Sequence, residues 1–318
     1  MKLINKPIFK KIISTIKFLL IFIAVLCNFW SCKGKKSDAK DINHPQQGVI
    51  HICVDESFKP IISQQILVFE SSYPKAHISV KYEPEVNCFK DFQQDSATTM
   101  IVVSRGLTKD ESDYYKQKLW HYPQYSILAF DAVAVVVNAQ SDDSTFSLQR
   151  LYHLLTDATP GKFEAIVDGD NATSTVRYLM DSVAKGKSFG VNVKGVQGSK
   201  AVLDAVAANK NAIGFVGSSW IGNSDYDRSQ LVYENTVHLA YVQGKKDTTT
   251  YAKPSQATIF SEQYPFFRPL YCILKDDDIG LGTSFYNFMS FQRGQLIFRV
   301  GNLVPAKMDF TIRTVSKK

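Results

Sequence analysis

The clearest candidate for chemistry in this chain is residues 169–179, GDNATSTVRYL. Thr173, Ser174 and Thr175 set three hydroxyls in a row just ahead of a helical pattern. Such a stretch has three readings. A hydroxyl at a helix start caps a free backbone N–H. Asn171-Ala172-Thr173 spells the N-x-[ST] acceptor, which matters only in a glycosylating secretory pathway. Alternatively, hydroxyls and helix-start amides together cradle an anionic ligand.

Other reactive constellations are sparse. There is no G-x-S-x-G, H-E-x-x-H or P-loop, and the histidines, His51, His77, His121 and His153 among them, are scattered. The expectation is a non-enzymatic chain without a cofactor. Asp276-Asp277-Asp278 precedes Gly280 and Gly282 and reads as a solvated acidic turn, not a metal cluster. Cys53, Cys88 and Cys272 are widely spaced, with no C-x-x-C and no histidine at ligand spacing, so no zinc site is expected. Cys53 and Cys272 lie in apolar strand-like runs and read as small hydrophobes. One disulfide is possible in an oxidising compartment, but spacing does not choose the pair.

The first residues are an address. MKLINKPIFKKIISTIK carries five lysines and no acid, and FLLIFIAVLCNFW follows as an apolar run. That run is shorter than the roughly twenty residues of a membrane span and has the build of a signal-peptide core. It ends in FWSC and resembles a bacterial lipobox, in which Cys32 is lipidated and begins the mature protein. Residues 1–31 are then the signal peptide. Residues 32–47 are polar and read as a flexible tether. A periplasmic, membrane-anchored lipoprotein of a bacterial envelope is expected.

This reading reassigns the charge. The formal balance is +7, but removing five leader lysines leaves 32 basic against 30 acidic residues. Lys33, Lys35, Lys36 and Lys40 against Asp38 and Asp41 account for that remaining +2 within the tether. The folded part is near neutral, which argues against nucleic acid as a partner.

Strand-like and helical runs alternate through the mature chain. TTMIVVS, AVAVVVN and AIGFVG are continuous apolar runs suited to strands covered on both faces. KPIISQQILVFESS, SLQRLYHLL and SKAVLDAVAAN have helical spacing, and TSFYNFMSFQRGQLIFRVG reads as one or two helices. The pattern is α/β with mainly parallel sheets.

Several segments together resemble the phosphate-binding branch of the type II periplasmic binding proteins. VDESFKPIISQQILVFESSYP is similar to that family's opening strand, hydroxyl-bearing loop and helix, and IVVSRGLTKDE to its SRPL segment. FDAVAVVVNAQS resembles the strand entering the second lobe. GSKAVLDAVAANKNAIGFVG resembles the helix and GAIGYVG strand, the most specific match. YPFFRPLYCIL and FYNFMSFQRGQLIFRVGNLVPA resemble the return strand and C-terminal helix. The matches run in order from about residue 48 to residue 306.

The resemblance implies an α/β, two-lobed type II fold with two crossover strands, DAVAVVVN and RPLYCIL. Residues 48–131 and 266–318 would form lobe one and 132–265 lobe two. The implied function is capture of phosphate or a similar small oxyanion for an ABC permease in the inner membrane. The alternative is a fold with an altered pocket that serves as an accessory or interaction subunit of an envelope complex.

Four loops would face the cleft. Ser57 and the amide of Phe58 match a hydroxyl-plus-amide pair, although a plain helix cap fits Ser57 equally. Ser104 and Arg105 follow a buried strand, and Arg105 could fork onto an oxyanion or pair with an acid such as Asp131. Glu85 stands where the family has a Gly-Ser-rich turn. Thr173, Ser174 and Thr175 complete the set. The family's arginines align with Gly169 and Val176, and Arg177, one place later, either substitutes or is a solvated helix residue. Glu56 is expected to point to solvent. Glu85 is the harder departure: a like charge at about 4 Å costs roughly 4 kcal/mol at an effective dielectric near 20, or about three decades of affinity.

Overall fold

The computed structural model describes residues 44–169, 173–222 and 235–308, all within one compact unit. The leader, Cys32 and most of the tether lie outside these residues, as does Asn171 of the N-x-[ST] triplet.

The described residues open with β1 (Gln47–Asp55), a 3-10 turn (Glu56–Phe58), α1 (Lys59–Ser72), β2 (Lys75–Glu83), α2 (Glu85–Gln94), β3 (Thr98–Val103) and α3 (Lys109–Leu119). The long strand β4 (Gln124–Asn138) leads into the second lobe. There follow β5 (Thr145–Phe146), α4 (Leu148–Thr156), β6 (Glu164–Val167), α5 (Ser174–Tyr178), a π-helical turn (Leu179–Val183), β7 (Val193–Gly195), α6 (Ser199–Ala208) and β8 (Ala212–Gly217). After β9 (Val237–Leu239), β10 (Tyr241–Gln243), β11 (Tyr251–Ala252) and α7 (Gln256–Phe260), β12 (Phe267–Leu274) returns. α8 (Leu281–Ser290), α9 (Gln292–Val300) and β13 (Val304–Pro305) complete the order.

The main sheet runs β2-β1-β3-β12-β4-β8-β6-β7. Alternation along its strands builds four cores. In β4, Val133, Val135 and Val137 join α4 and α5 on one face, while Ala134 and Val136 meet α6 on the other. In β3, Met100 and Val102 pack toward α1 and α8, and Ile101 and Val103 toward α2 and α3. The apolar runs are therefore strands covered on both faces, as the sequence predicts.

The pairing differs from the expected, mainly parallel, pattern. β1 runs parallel to β2 and β3, and β6 parallel to β7 and β8. In the middle, β12 is antiparallel to β3 and β4, and β4 to β8. The cause is the crossover: β4 carries the chain out to the second lobe and β12 brings it back, so the two must oppose.

Cys53 departs from the reading as a packing residue. It forms a disulfide with Cys88, joining β1 to α2 at a Cα–Cα distance of 5.2 Å. Cys272 is free and buried, as expected. Asp277 and Asp278 are exposed and Asp276 half-buried in the turn before α8. Among the described residues Cys53, Glu83 and Asp91 come within metal-ligand reach of one another, but the disulfide engages that sulfur.

Candidate functional site

The end of β1 builds one wall of the site. Asp55 terminates the strand, and its Oδ1 accepts from the Ser57 backbone N–H at 2.9 Å and from the Ser57 hydroxyl. The turn this closes directs Ser57 toward the other lobe. Its Oγ lies 3.1 Å from Ser174 Oγ and 3.3 Å from Thr175 Oγ1. Asp55 also reaches across, since its Oδ2 accepts from the Ser174 backbone N–H at 3.3 Å. Asp55, Ser57, Ser174 and Thr175 are all buried.

The crossover strands supply the charge beneath. Arg268 of β12 stands opposite Asp131 of β4 in the strand register. Arg268 Nη2 and Nε donate to Asp131 Oδ2 at 3.1 and 3.2 Å, and both residues are buried. Asp131 Oδ1 accepts from the Ser218 N–H and hydroxyl at the end of β8. The remaining edge of the guanidinium faces the hydroxyls: Nη1 donates to Ser174 Oγ at 2.8 Å and to Thr175 Oγ1 at 3.4 Å. The Phe58 ring packs against the guanidinium at 4.8 Å.

With Asp55 ionised, proton counting orders this chain. A guanidinium only donates, an ionised carboxylate only accepts, and a hydroxyl carries one proton. The order is therefore Arg268 to Ser174 Oγ, Ser174 Oγ to Ser57 Oγ, and Ser57 Oγ to Asp55 Oδ1. Burial pushes the Asp55 carboxyl above its ordinary range, helped by the charge of Glu85 and opposed by Arg268.

Two further bridges flank the centre. Glu56 does not face solvent: its carboxylate accepts from the Ser199 N–H at 3.2 Å and the Ser199 hydroxyl at 2.8 Å, capping α6 of the second lobe. Glu85, at the start of α2, accepts from the Ser104 N–H at 2.7 Å and hydroxyl at 2.9 Å. Its other oxygen takes Arg177 Nε at 2.8 Å, and Arg177 Nη2 donates to Ser104 Oγ at 2.7 Å. Glu85 is paired with a cation, Arg177, which offsets the predicted repulsion. Arg177 is thus neither a ligand arm of the hydroxyl cluster nor a purely solvated residue.

Thr173 caps α5 through the Val176 N–H at 3.1 Å and donates to Asp168 Oδ1 at 2.8 Å. Among the described residues, Asp168 Oδ2 is buried with no hydrogen-bond partner. Burial, with the charge of Asp55 second, pushes the Asp168 carboxyl up to about 8, so it holds its proton at neutral pH.

Of the sequence-predicted residues, Ser57, Phe58, Ser174 and Thr175 meet around Arg268, with Thr173 one step behind. Glu85 and Ser104 form a separate interlobe cluster. Arg105 belongs to neither: it pairs with Glu111 at 2.8 and 3.0 Å and stacks on Phe89, so the suggested pairing with Asp131 does not form. Sequence reasoning missed Asp55, Asp168 and Arg268 and the mutual pairing of Asp131 with Arg268. One signal was present, because Asp131 interrupts the apolar run of β4 and Arg268 stands beside that of β12, and a buried charge requires a partner.

The comparisons accord with this geometry. The sequence profile described as a PBP superfamily domain matches residues 39–291. No curated protein sequence matches significantly. A putative phosphate ABC transporter substrate-binding protein from Clostridium perfringens, solved with bound phosphate, aligns at TM-score 0.64 and 16% identity, covering 82% of this chain and 100% of its own. An ABC-type phosphate transport receptor from Vibrio cholerae aligns at TM-score 0.57 and 15% identity, covering 81% and 100%. A possible phosphate-binding protein from Planctomyces limnophilus aligns at 0.54 and 18%, covering 81% and 93%. These likenesses show the fold. With the profile spanning most of the chain and two lobes joined by paired crossover strands, the chain belongs to the PBP superfamily.

Proposed function

We propose that the chain is a solute-binding protein that captures phosphate or a similar small oxyanion between its lobes and delivers it to an inner-membrane ABC permease. The observation that carries this reading is the convergence of the Ser57, Ser174 and Thr175 hydroxyls with the Arg268 guanidinium, all buried and drawn from both lobes. Hydroxyls and a forked guanidinium are the donors that suit a tetrahedral anion. The relatives named as phosphate-binding support the ligand class. In this reading residues 48–131 and 266–318 form the first lobe and 132–265 the second, and hinge bending at the crossovers admits the solute.

The same proposal makes Cys32 a lipid-bearing residue after removal of residues 1–31, with residues 32–47 tethering a periplasmic domain. Its support is the FWSC sequence after a basic, apolar leader. Among the described residues no helix is long and apolar enough to cross a membrane. Calorimetric titration of the mature protein with inorganic phosphate tests the ligand: saturable heat is expected, and its absence at millimolar phosphate from this protein and from a variant lacking the Asp55 carboxylate contradicts the reading.

A second reading, an accessory subunit of an envelope complex, is favoured by one observation. Asp55 engages Ser57 and Ser174, the same donors an oxyanion needs. Co-purification with envelope proteins from cells, together with absent phosphate heat, selects this reading.

A further inference from the structure

Asp55 raises a question that an oxyanion site does not by itself answer. A carboxylate placed among hydroxyls ordinarily leaves the donors facing the ligand. Here it takes them. Its two oxygens accept three hydrogen bonds, from the Ser57 N–H, the Ser57 hydroxyl and the Ser174 N–H, so both lobes close on it. With Asp55 ionised, the single proton of Ser57 points at Asp55, and the single proton of Ser174 points at Ser57. Neither remains for a second anion.

The neighbours reinforce this arrangement. Arg268 supplies the positive end of the chain through Ser174, and the Ser57 carbonyl oxygen lies where a methyl group on Gly217 of the second lobe would come within 2.8 Å of it. Glu56 repeats the motif one residue on, its carboxylate holding the Ser199 N–H and hydroxyl across the cleft. Two adjacent acids at the end of β1 thus grip two segments of the second lobe.

We propose that Asp55 is an internal anion, seated on the donors of the oxyanion site, that closes the lobes on itself and must be displaced before a small oxyanion can bind. The inference rests on the oxyanion reading of this cleft. Its consequence is a binding protein whose apparent affinity is lowered by the fraction of molecules held in the Asp55-seated state, since a ligand meets only the competent remainder. The residue therefore sets the solute concentration to which the protein responds.

The test uses the mature protein, Asp55→Ala and Asp55→Asn, each titrated calorimetrically with inorganic phosphate and followed by small-angle X-ray scattering. Asp55→Ala frees Ser57 and Ser174, so phosphate is expected to bind at least tenfold more tightly than to the unmodified protein. Without phosphate, its radius of gyration should exceed that of the unmodified protein, and phosphate should contract it. Asp55→Asn, which keeps the shape and removes the charge, decides by the same affinity criterion if the alanine variant does not fold. Equal or weaker phosphate binding by the folded variant overturns the internal-anion proposal while leaving the oxyanion reading intact. No phosphate binding by any of the three overturns the oxyanion reading and the proposal with it.

Discussion

Ser57 and Ser174 are 117 residues apart in sequence, yet their hydroxyl oxygens lie 3.1 Å apart and buried across the cleft. No strand pairing forces this approach. It follows from the crossover strands, which set the lobes face to face, and from Asp55 and Arg268, which terminate the hydroxyl chain with opposite charges. The contact makes the site one object with contributions from both lobes.

Arg268 and Asp131 underpin that object from the crossovers. Breaking a buried ion pair leaves an uncompensated charge, at a cost of about 3–5 kcal/mol. Arg268→Ala is accordingly expected to lower the stability by that amount in urea denaturation. A change under about 1 kcal/mol would mean that Ser218 alone satisfies Asp131.

Gly217 tests the closure sterically. A Cβ there would lie 2.8 Å from the Ser57 carbonyl oxygen and 3.3 Å from Asp131 Oδ2. Its backbone φ of -61° is open to any residue, so alanine acts through those contacts. Gly217→Ala should hold the lobes apart, read as a larger radius of gyration with helix content unchanged.

Asp168 gives the protein a pH dependence with a definite sign. Its carboxyl titrates near 8 when folded, against an ordinary 3.8. Between those values the folded state holds a proton that the unfolded state has released, so stability falls as pH rises from about 4 to 8. The contribution to the slope is at most about 1.4 kcal/mol per pH unit. Asp168→Asn should flatten this part of the denaturation profile, and an unchanged profile contradicts the assignment.

The Cys53–Cys88 bridge spans a sequence separation of 35. Loop-closure entropy for that length is roughly 4 kcal/mol. Reduction should lower the denaturation midpoint accordingly, with Cys272 the remaining thiol among the described residues. Thiol counting before and after reductant checks the pairing.

Much of the architecture was legible in the residues. Continuous apolar runs such as AVAVVVN read as doubly covered strands because alternate valines reach two cores. The Ser174–Thr175 pair announced itself as clustered hydroxyls before a helix. What stayed hidden depends on partners distant in sequence. Glu85 looked like a repulsive charge because its neutralising cation, Arg177, is 92 residues away. Glu56 looked solvated because Ser199 is 143 residues away. Asp55 carries no mark in the sequence, since its local bond to Ser57 is that of an ordinary turn cap and only the contact with Ser174 reveals more. The parallel expectation failed because apolar runs show which faces are covered but not strand direction.

The most direct measurement of the central claim is phosphate calorimetry on Asp55→Ala beside the double variant Asp55→Ala/Ser174→Ala. If the anion seat is formed by Ser57, Ser174, Thr175 and Arg268, the single variant gives saturable binding and the double variant binds at least tenfold more weakly. The same dissociation constant for both, or heat from neither, contradicts the account.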